Sequence, residues 1–141
     1  MFSHVTIGSN DLERAGKFYD ALLEPLGLRQ RKVIADTGPK ALCFANAAED
    51  LPYFYIYAPF DRKAATPGNG TMVAFIANSP AAVDAAFASG MANGGRSEGE
   101  PGERPHYAKD YYGAYLRDPD GNKLHLVYRG DKLKRPASRP I

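Results

Sequence analysis

The sequence predicts an α+β fold made of two βαβββ modules. Three observations predict it. A shift of 68 positions lays His4 on Met72, Asn10 on Asn78, Tyr19 on Phe87 and Gly27 on Gly95, so the chain repeats a supersecondary unit. Each repeat opens with a short strand-like run followed by a capped, apolar-faced helix pattern. Finally, Asp118-Pro119-Asp120-Gly121 separates two alternating runs and reads as the tight turn of a β-hairpin, with Pro presetting the first bend and Gly accepting the second.

The first module starts with a strand over 2–7. Asn10 is the expected helix cap, with Glu13 reaching back in a capping box. Leu12, Ala15, Phe18, Tyr19, Leu22, Leu23 and Leu26 then recur at helical spacing, and Gly27 stops the helix. Strands are predicted over 28–34, 41–45 and Tyr53–Tyr57, with a turn at Asp36-Thr37-Gly38-Pro39 between the first two. A Pro-, Gly- and Ala-rich linker over 60–69 divides module 1–59 from module 70–129 within one domain, 1–129.

The second module repeats the order. A strand over 71–76 precedes a helix opened by Ser79-Pro80, Pro standing where its missing N–H does no harm. Val83, Ala86, Phe87 and Met91 form its apolar face, and Gly94-Gly95 end it. A short strand over 96–98 leads into a Gly/Pro loop over 99–110, long enough to suggest a functional segment in which His106 and Tyr107 reach over a pocket. Strands at Tyr111–Arg117 and 123–128 close the module, and 130–141 is read as a basic, flexible tail.

Composition narrows the function classes. Hydrophobic residues make up 44% and charged residues 24% of 141 residues, within the ordinary globular range. A formal net charge of +2 gives no field for nucleic acid. No apolar run approaches the roughly 20 residues that span a bilayer. The start carries no basic leader with an apolar stretch, and the one cysteine, Cys43, excludes an internal disulfide; both point to the cytoplasm.

Strand alternation identifies the candidate chemistry. His125 stands between Leu124 and Leu126, so it faces away from any core they enter. Tyr53, Tyr55 and Tyr57 share one face, a stacking wall for a planar ligand or a set of sheet-stabilising pairs. His4 pairs with Thr6 on one face, Met72 with Ala74, and His125 with Val127.

His4-Val5-Thr6-Ile7-Gly8-Ser9-Asn10-Asp11-Leu12-Glu13-Arg14-Ala15, then Phe18-Tyr19 and Leu26-Gly27-Leu28, resembles the opening of the vicinal oxygen chelate superfamily, which includes glyoxalases, bleomycin-resistance proteins and extradiol dioxygenases. Tyr112-Gly113-Ala114-Tyr115-Leu116-Arg117 with Asp118-Pro119-Asp120-Gly121-Asn122-Lys123-Leu124 resembles its closing hairpin. Pro59-Phe60-Asp61, Pro67-Gly68-Asn69-Gly70-Thr71 and Arg104-Pro105-His106-Tyr107 resemble the glyoxalase-like subgroup. The resemblance implies curved mixed sheets and a homodimer in which modules face each other.

The resemblance also implies four metal-ligand positions, carried here by His4, Tyr55, Met72 and His125. Two are imidazoles, and no carboxylate remains among the four. Imidazole suits Zn, Ni or Fe, but two His fall short of the three protein ligands usual for catalytic zinc. The expectation is therefore no resident cofactor, or a divalent Zn, Ni, Fe or Mn ion held weakly at His4 and His125. Met72 reads as an adaptable pocket filler. His4, Tyr55, Met72 and His125 are expected to line one cavity, with Tyr57, Tyr115, His106 and Tyr107 around it, His4 and His125 coming from different chains if the modules pair across a dimer. Two functions stay open. One is binding of a small organic molecule in an aromatic cleft. The other is a glyoxalase-like lyase or isomerase, or a dioxygenase-like oxidoreductase, working through His4 and His125.

Overall fold

The computed structural model describes residues 1–133. The element order is β1 (His4–Gly8), α1 (Leu12–Leu23), a 3₁₀ turn (Glu24–Leu26), β2 (Leu28–Arg31), β3 (Ala41–Asn46), β4 (Tyr53–Tyr57), β5 (Met72–Ala77), α2 (Pro80–Ala92), β6 (Arg96–Glu103), β7 (Tyr111–Arg117), β8 (Lys123–Arg129) and α3 (Gly130–Leu133). The strands form two four-stranded sheets, ordered β1-β4-β3-β2 and β5-β8-β7-β6. In each, the first strand pairs in parallel with the last strand of its module, and the other pairings are antiparallel. The expected α+β architecture of two βαβββ modules is what forms.

Each helix covers one face of its sheet, and the two helices pack on each other. Ala15, Phe18, Tyr19, Leu22 and Leu23 line the buried face of α1 at the spacing that stacks successive turns. Val83, Ala86, Phe87 and Gly90 do so for α2. Met91, expected on that face, is 38% exposed; Gly90 takes the place because α2 approaches closely there. A Cβ on Gly90 would stand 2.7 Å from Leu22 Cδ1 and 2.8 Å from Leu116 Cδ1. One apolar cluster spans both modules, with Tyr19 and Phe54 rings 5.3 Å apart and Phe54 and Phe75 rings 5.0 Å apart.

Several expected boundaries move for physical reasons. Asp11, rather than Asn10, caps α1, accepting from Arg14 N–H at 3.0 Å. Asn10 is drawn off elsewhere: its side-chain amide brackets Ala65, accepting from its N–H and donating to its carbonyl. Glu13 pairs with Lys17 along the helix instead of closing a capping box. β2 ends at Arg31, short of the expected 34, and residues 32–40 form an open loop. β6 extends into the predicted 99–110 loop, as far as Glu103. It is an edge strand with register shifts at Ser97/Gly99 and Gly99/Gly102, where Pro101 needs no ladder partner for its missing N–H. Residues 130–133 of the predicted tail form α3, and 134–141 lie outside the described residues.

The Asp-Pro-Asp-Gly-Asn turn does more than reverse the chain. Asp118 accepts from Tyr19 O–H at 2.6 Å, from Asp120 N–H and Asn122 N–H at 2.9 Å each, and from the Asn122 amide at 2.9 Å. Asp120 accepts from Ser9 O–H at 2.6 Å, from Asn10 N–H at 2.9 Å and from Arg14 at 3.0 Å. Asn122 also donates to Gly8 carbonyl at 3.0 Å. The β7–β8 turn is thus clasped to the β1–α1 junction of the other module.

Candidate functional site

Each sheet has one face without helices, and the candidate residues lie on these two open faces. On the first sheet, Val5 and Ile7 enter the core while His4 and Thr6 point the other way. The register sets His4 opposite Tyr53 and Thr6 opposite Tyr55, with Cys43 on the far side of Tyr55. Tyr53, Tyr55 and Tyr57 form a continuous wall, with ring centroids 6.0 and 5.7 Å apart. His4 stands edge-on to Tyr55 at 5.5 Å, and its Nδ1 is 2.9 Å from Ser3 Oγ. This wall and the 32–40 loop enclose an open cleft of about 1060 Å³ that runs past Arg31 and Lys40 to the start of α1. Burial, then the neighbouring Cys43, pushes the Tyr55 phenol above its ordinary pKa, and burial likewise raises the Cys43 thiol; both are neutral near pH 7.

The open face of the second sheet is centred on His125. Its Nδ1 bonds the Ala114 carbonyl at 2.9 Å and its Nε2 lies 2.7 Å from Tyr111 Oη. A carbonyl can only accept, so Nδ1 carries the proton and Tyr111 O–H donates to Nε2. The imidazole is 2% exposed and stacks on Tyr115 at 4.0 Å and on Tyr111 at 5.8 Å. Burial holds its pKa below the usual histidine value against the pull of the Ala114 bond, and the cations Arg104, Arg129 and Lys123 push it further down. The ring is therefore neutral near pH 7. Tyr115 is pushed up to about 12, first by burial and then by its hydrogen bond with Tyr107.

Gly113 makes room for this ring. A Cβ there would sit 2.6 Å from His125 Cε1. On β6, Cβ atoms at Gly99 and Gly102 would lie 3.7 and 3.0 Å from the Arg104 guanidinium. Glycine inside strands weakens them, and here each marks a side chain lying flat across the sheet.

The structure brings together His4, Tyr55 and Tyr57 on the first sheet, and Tyr107, Tyr115 and His125 on the second. His106 lies tilted against Tyr107 with ring centroids 4.2 Å apart, and Tyr107 packs on Tyr111 at 5.2 Å, so the 104–110 turn leans over the His125 cluster. Met72 is 42% exposed on the edge strand β5, opposite Lys123 and two positions from Ala74, which faces His125. Sequence reasoning missed Tyr111, Arg104 and Arg129. Alternation alone places Tyr111 on the face of Gly113 and Tyr115, which is the signal that would have found it. The same alternation puts Arg129 on the face of His125 and Val127, whereas Arg104 lies in the turn beyond β6 and carried no such signal.

The donor set does not fit a divalent metal. Both His125 nitrogens are already hydrogen-bonded, and three cations surround the ring. Met72 offers a soft thioether beside Lys123, and no carboxylate joins the set. Among the described residues no group of three His, Cys, Asp or Glu side chains could hold a metal ion.

Paired βαβββ sheets with helices on one side and histidines and tyrosines on the open faces define a small-molecule scaffold class that hosts many chemistries. The chain belongs to the Glyoxalase/Bleomycin resistance protein/Dioxygenase superfamily, whose family model matches residues 1–126. It is similar to the crystal structure of a glyoxalase/bleomycin resistance protein from Albidiferax ferrireducens T118, with 45% identity, 92% of this chain and 98% of that chain covered, and a TM-score of 0.75. A glyoxalase-related enzyme from Fulvimarina pelagi shares the fold at 18% identity, with 92% and 88% of the two chains covered and a TM-score of 0.67. A family enzyme from Burkholderia phytofirmans PsJN shares it at 20% identity, with 89% and 96% covered and a TM-score of 0.67. At these lower identities the likeness shows the fold alone. No curated protein matches the chain.

Proposed function

We propose that this protein binds a small planar organic molecule in an aromatic cleft, without a metal. The observation that carries the reading is the tyrosine-walled cleft of about 1060 Å³, at the upper end of the size of ligand sites and faced with rings whose hydroxyls can orient a guest. The lack of a fitting metal donor set supports it. In this reading a second copy of the chain closes each open face, so that the wall of one protomer faces the His125 cluster of its partner. The buried free thiol of Cys43 suits a reducing cytoplasm.

Isothermal titration with two planar probes, 2-naphthamide and 2-naphthoate, tests it. At least one should bind saturably, and Tyr55→Ala should weaken that binding about tenfold, or about 1.4 kcal/mol. Failure of both probes, or an unchanged affinity in Tyr55→Ala, overturns the reading.

A second reading, an enzyme of the lyase or oxidoreductase kind, is favoured by the Tyr111–His125 pair. A neutral buried imidazole holding a phenol is equipped to move a proton. It requires the protein to speed exchange of the carbon-bound protons of dihydroxyacetone with D₂O, and His125→Asn to abolish that exchange.

A further inference from the structure

We infer that the planar ligand carries an oxyanion, a carboxylate or its equivalent, and that Arg104 and Arg129 receive it beside the Tyr111–His125–Tyr115 stack. The inference rests on the aromatic-cleft reading and adds the chemical class of the ligand. Four observations lead to it. The Arg129 guanidinium lies 5.5 Å from the centre of the Tyr111 ring, and its Nε is buried with no hydrogen-bond partner among the described residues. A buried donor left unpaired is costly, and a ligand oxygen is the partner it lacks. Arg104 is held in place by two carbonyls, Glu100 at 2.8 Å and Glu103 at 3.3 Å, and lies across the glycines of β6. Two of its five N–H groups are thereby used and the rest are available.

The ion pairs among the described residues point the same way. Arg117 pairs with Glu98 at 2.9 Å, and Lys123 acts on the same carboxylate. Among the described residues no ion pair joins Arg104 or Arg129 to a carboxylate. Two guanidiniums thus face one half-buried aromatic surface, and neither is in a salt bridge among the described residues. Their planar forks suit a carboxylate, and the stacked rings suit the flat body to which it is attached. Lys123, 5.5 Å over the Tyr115 ring, closes the far side of the surface with a third positive charge.

The test compares 2-naphthoate with its isosteric neutral amide by calorimetry on the full chain. The acid should bind at least about tenfold more tightly than the amide. Arg129→Gln and Arg104→Gln should each reduce that preference severalfold, weakening the acid more than the amide. Arg129→Lys, which keeps the charge and loses the fork, should fall between wild type and Arg129→Gln. Raising sodium chloride should weaken the acid alone. Thermal melts of each variant confirm that the fold is retained, and the salt titration of the wild type stands even if a variant fails to fold. Equal binding of acid and amide, insensitive to salt, overturns the anion inference and leaves the aromatic cleft standing. Failure of both probes removes the aromatic cleft and this inference with it.

Discussion

At His125 the sequence pattern and the structure meet most tightly. The ring lies flat because Gly113 has no Cβ, its tautomer is dictated by one carbonyl, and its other nitrogen is taken by a phenol. Gly113→Ala would force a methyl to within 2.6 Å of His125 Cε1 and 3.1 Å of Leu126 O. The backbone oxygen cannot yield, so the imidazole must tilt and break a hydrogen bond. Overpacking of this kind costs typically about 1–3 kcal/mol. Urea unfolding of Gly113→Ala should show a loss in that range, and the His125 ring resonances should shift in NMR. A neutral substitution with unshifted His125 signals would mean the ring is not seated as described.

At the scale of elements, the most visible sequence motif had a meaning that local reasoning could reach only in part. Asp118-Pro119-Asp120-Gly121 was legible as a turn because turn chemistry is local. Its clasp on Ser9, Asn10, Arg14 and Tyr19 was not legible, because the partners lie about a hundred residues away in sequence. Asp118→Ala would leave Tyr19 O–H and the Asn122 amide without their buried acceptor. Loss of such a network costs about 2–4 kcal/mol. Tyr19→Phe, which removes one of its bonds, should cost less. A urea midpoint for Asp118→Ala close to wild type would show that the clasp does not hold the modules. The same contrast explains the other elements. Helices with periodic apolar faces and named caps were read almost to their ends, whereas the edge strand β6, written Gly-Glu-Pro-Gly-Glu, looks like a loop until its one-sided pairing is seen. The candidate site was legible as two sets of residues sharing a face. Arg129 was within reach of the same alternation, two positions beyond Val127, but Arg104 was not, because nothing local distinguishes a guanidinium laid over a glycine from one in solvent.

For the whole molecule, one apolar cluster draws on both modules, but it leaves the two open faces with no cover from their own helices. Ile76, 51% exposed, and Met72 lie on the open face of β5, an edge strand of its sheet, as β1 is of the other. An uncovered sheet face ending in apolar edge positions is a natural seat for a second copy, and superfamily members commonly dimerise. Light scattering at micromolar concentration should therefore give twice the chain mass of 15.3 kDa. The composite-site reading makes a sharper prediction. Tyr55→Ala disables the wall of its own chain, and Arg129→Gln disables the His125 cluster of its own chain, so each homodimer has two damaged sites. Mixing the two variants under exchanging conditions makes heterodimers in which one site inherits both lesions and the other inherits neither. Random exchange puts about half of the protomers into heterodimers, so about a quarter of the wild-type number of tight 2-naphthoate sites should return. Sites built within a single chain would recover nothing on mixing, because every chain present would still carry a lesion in its own site.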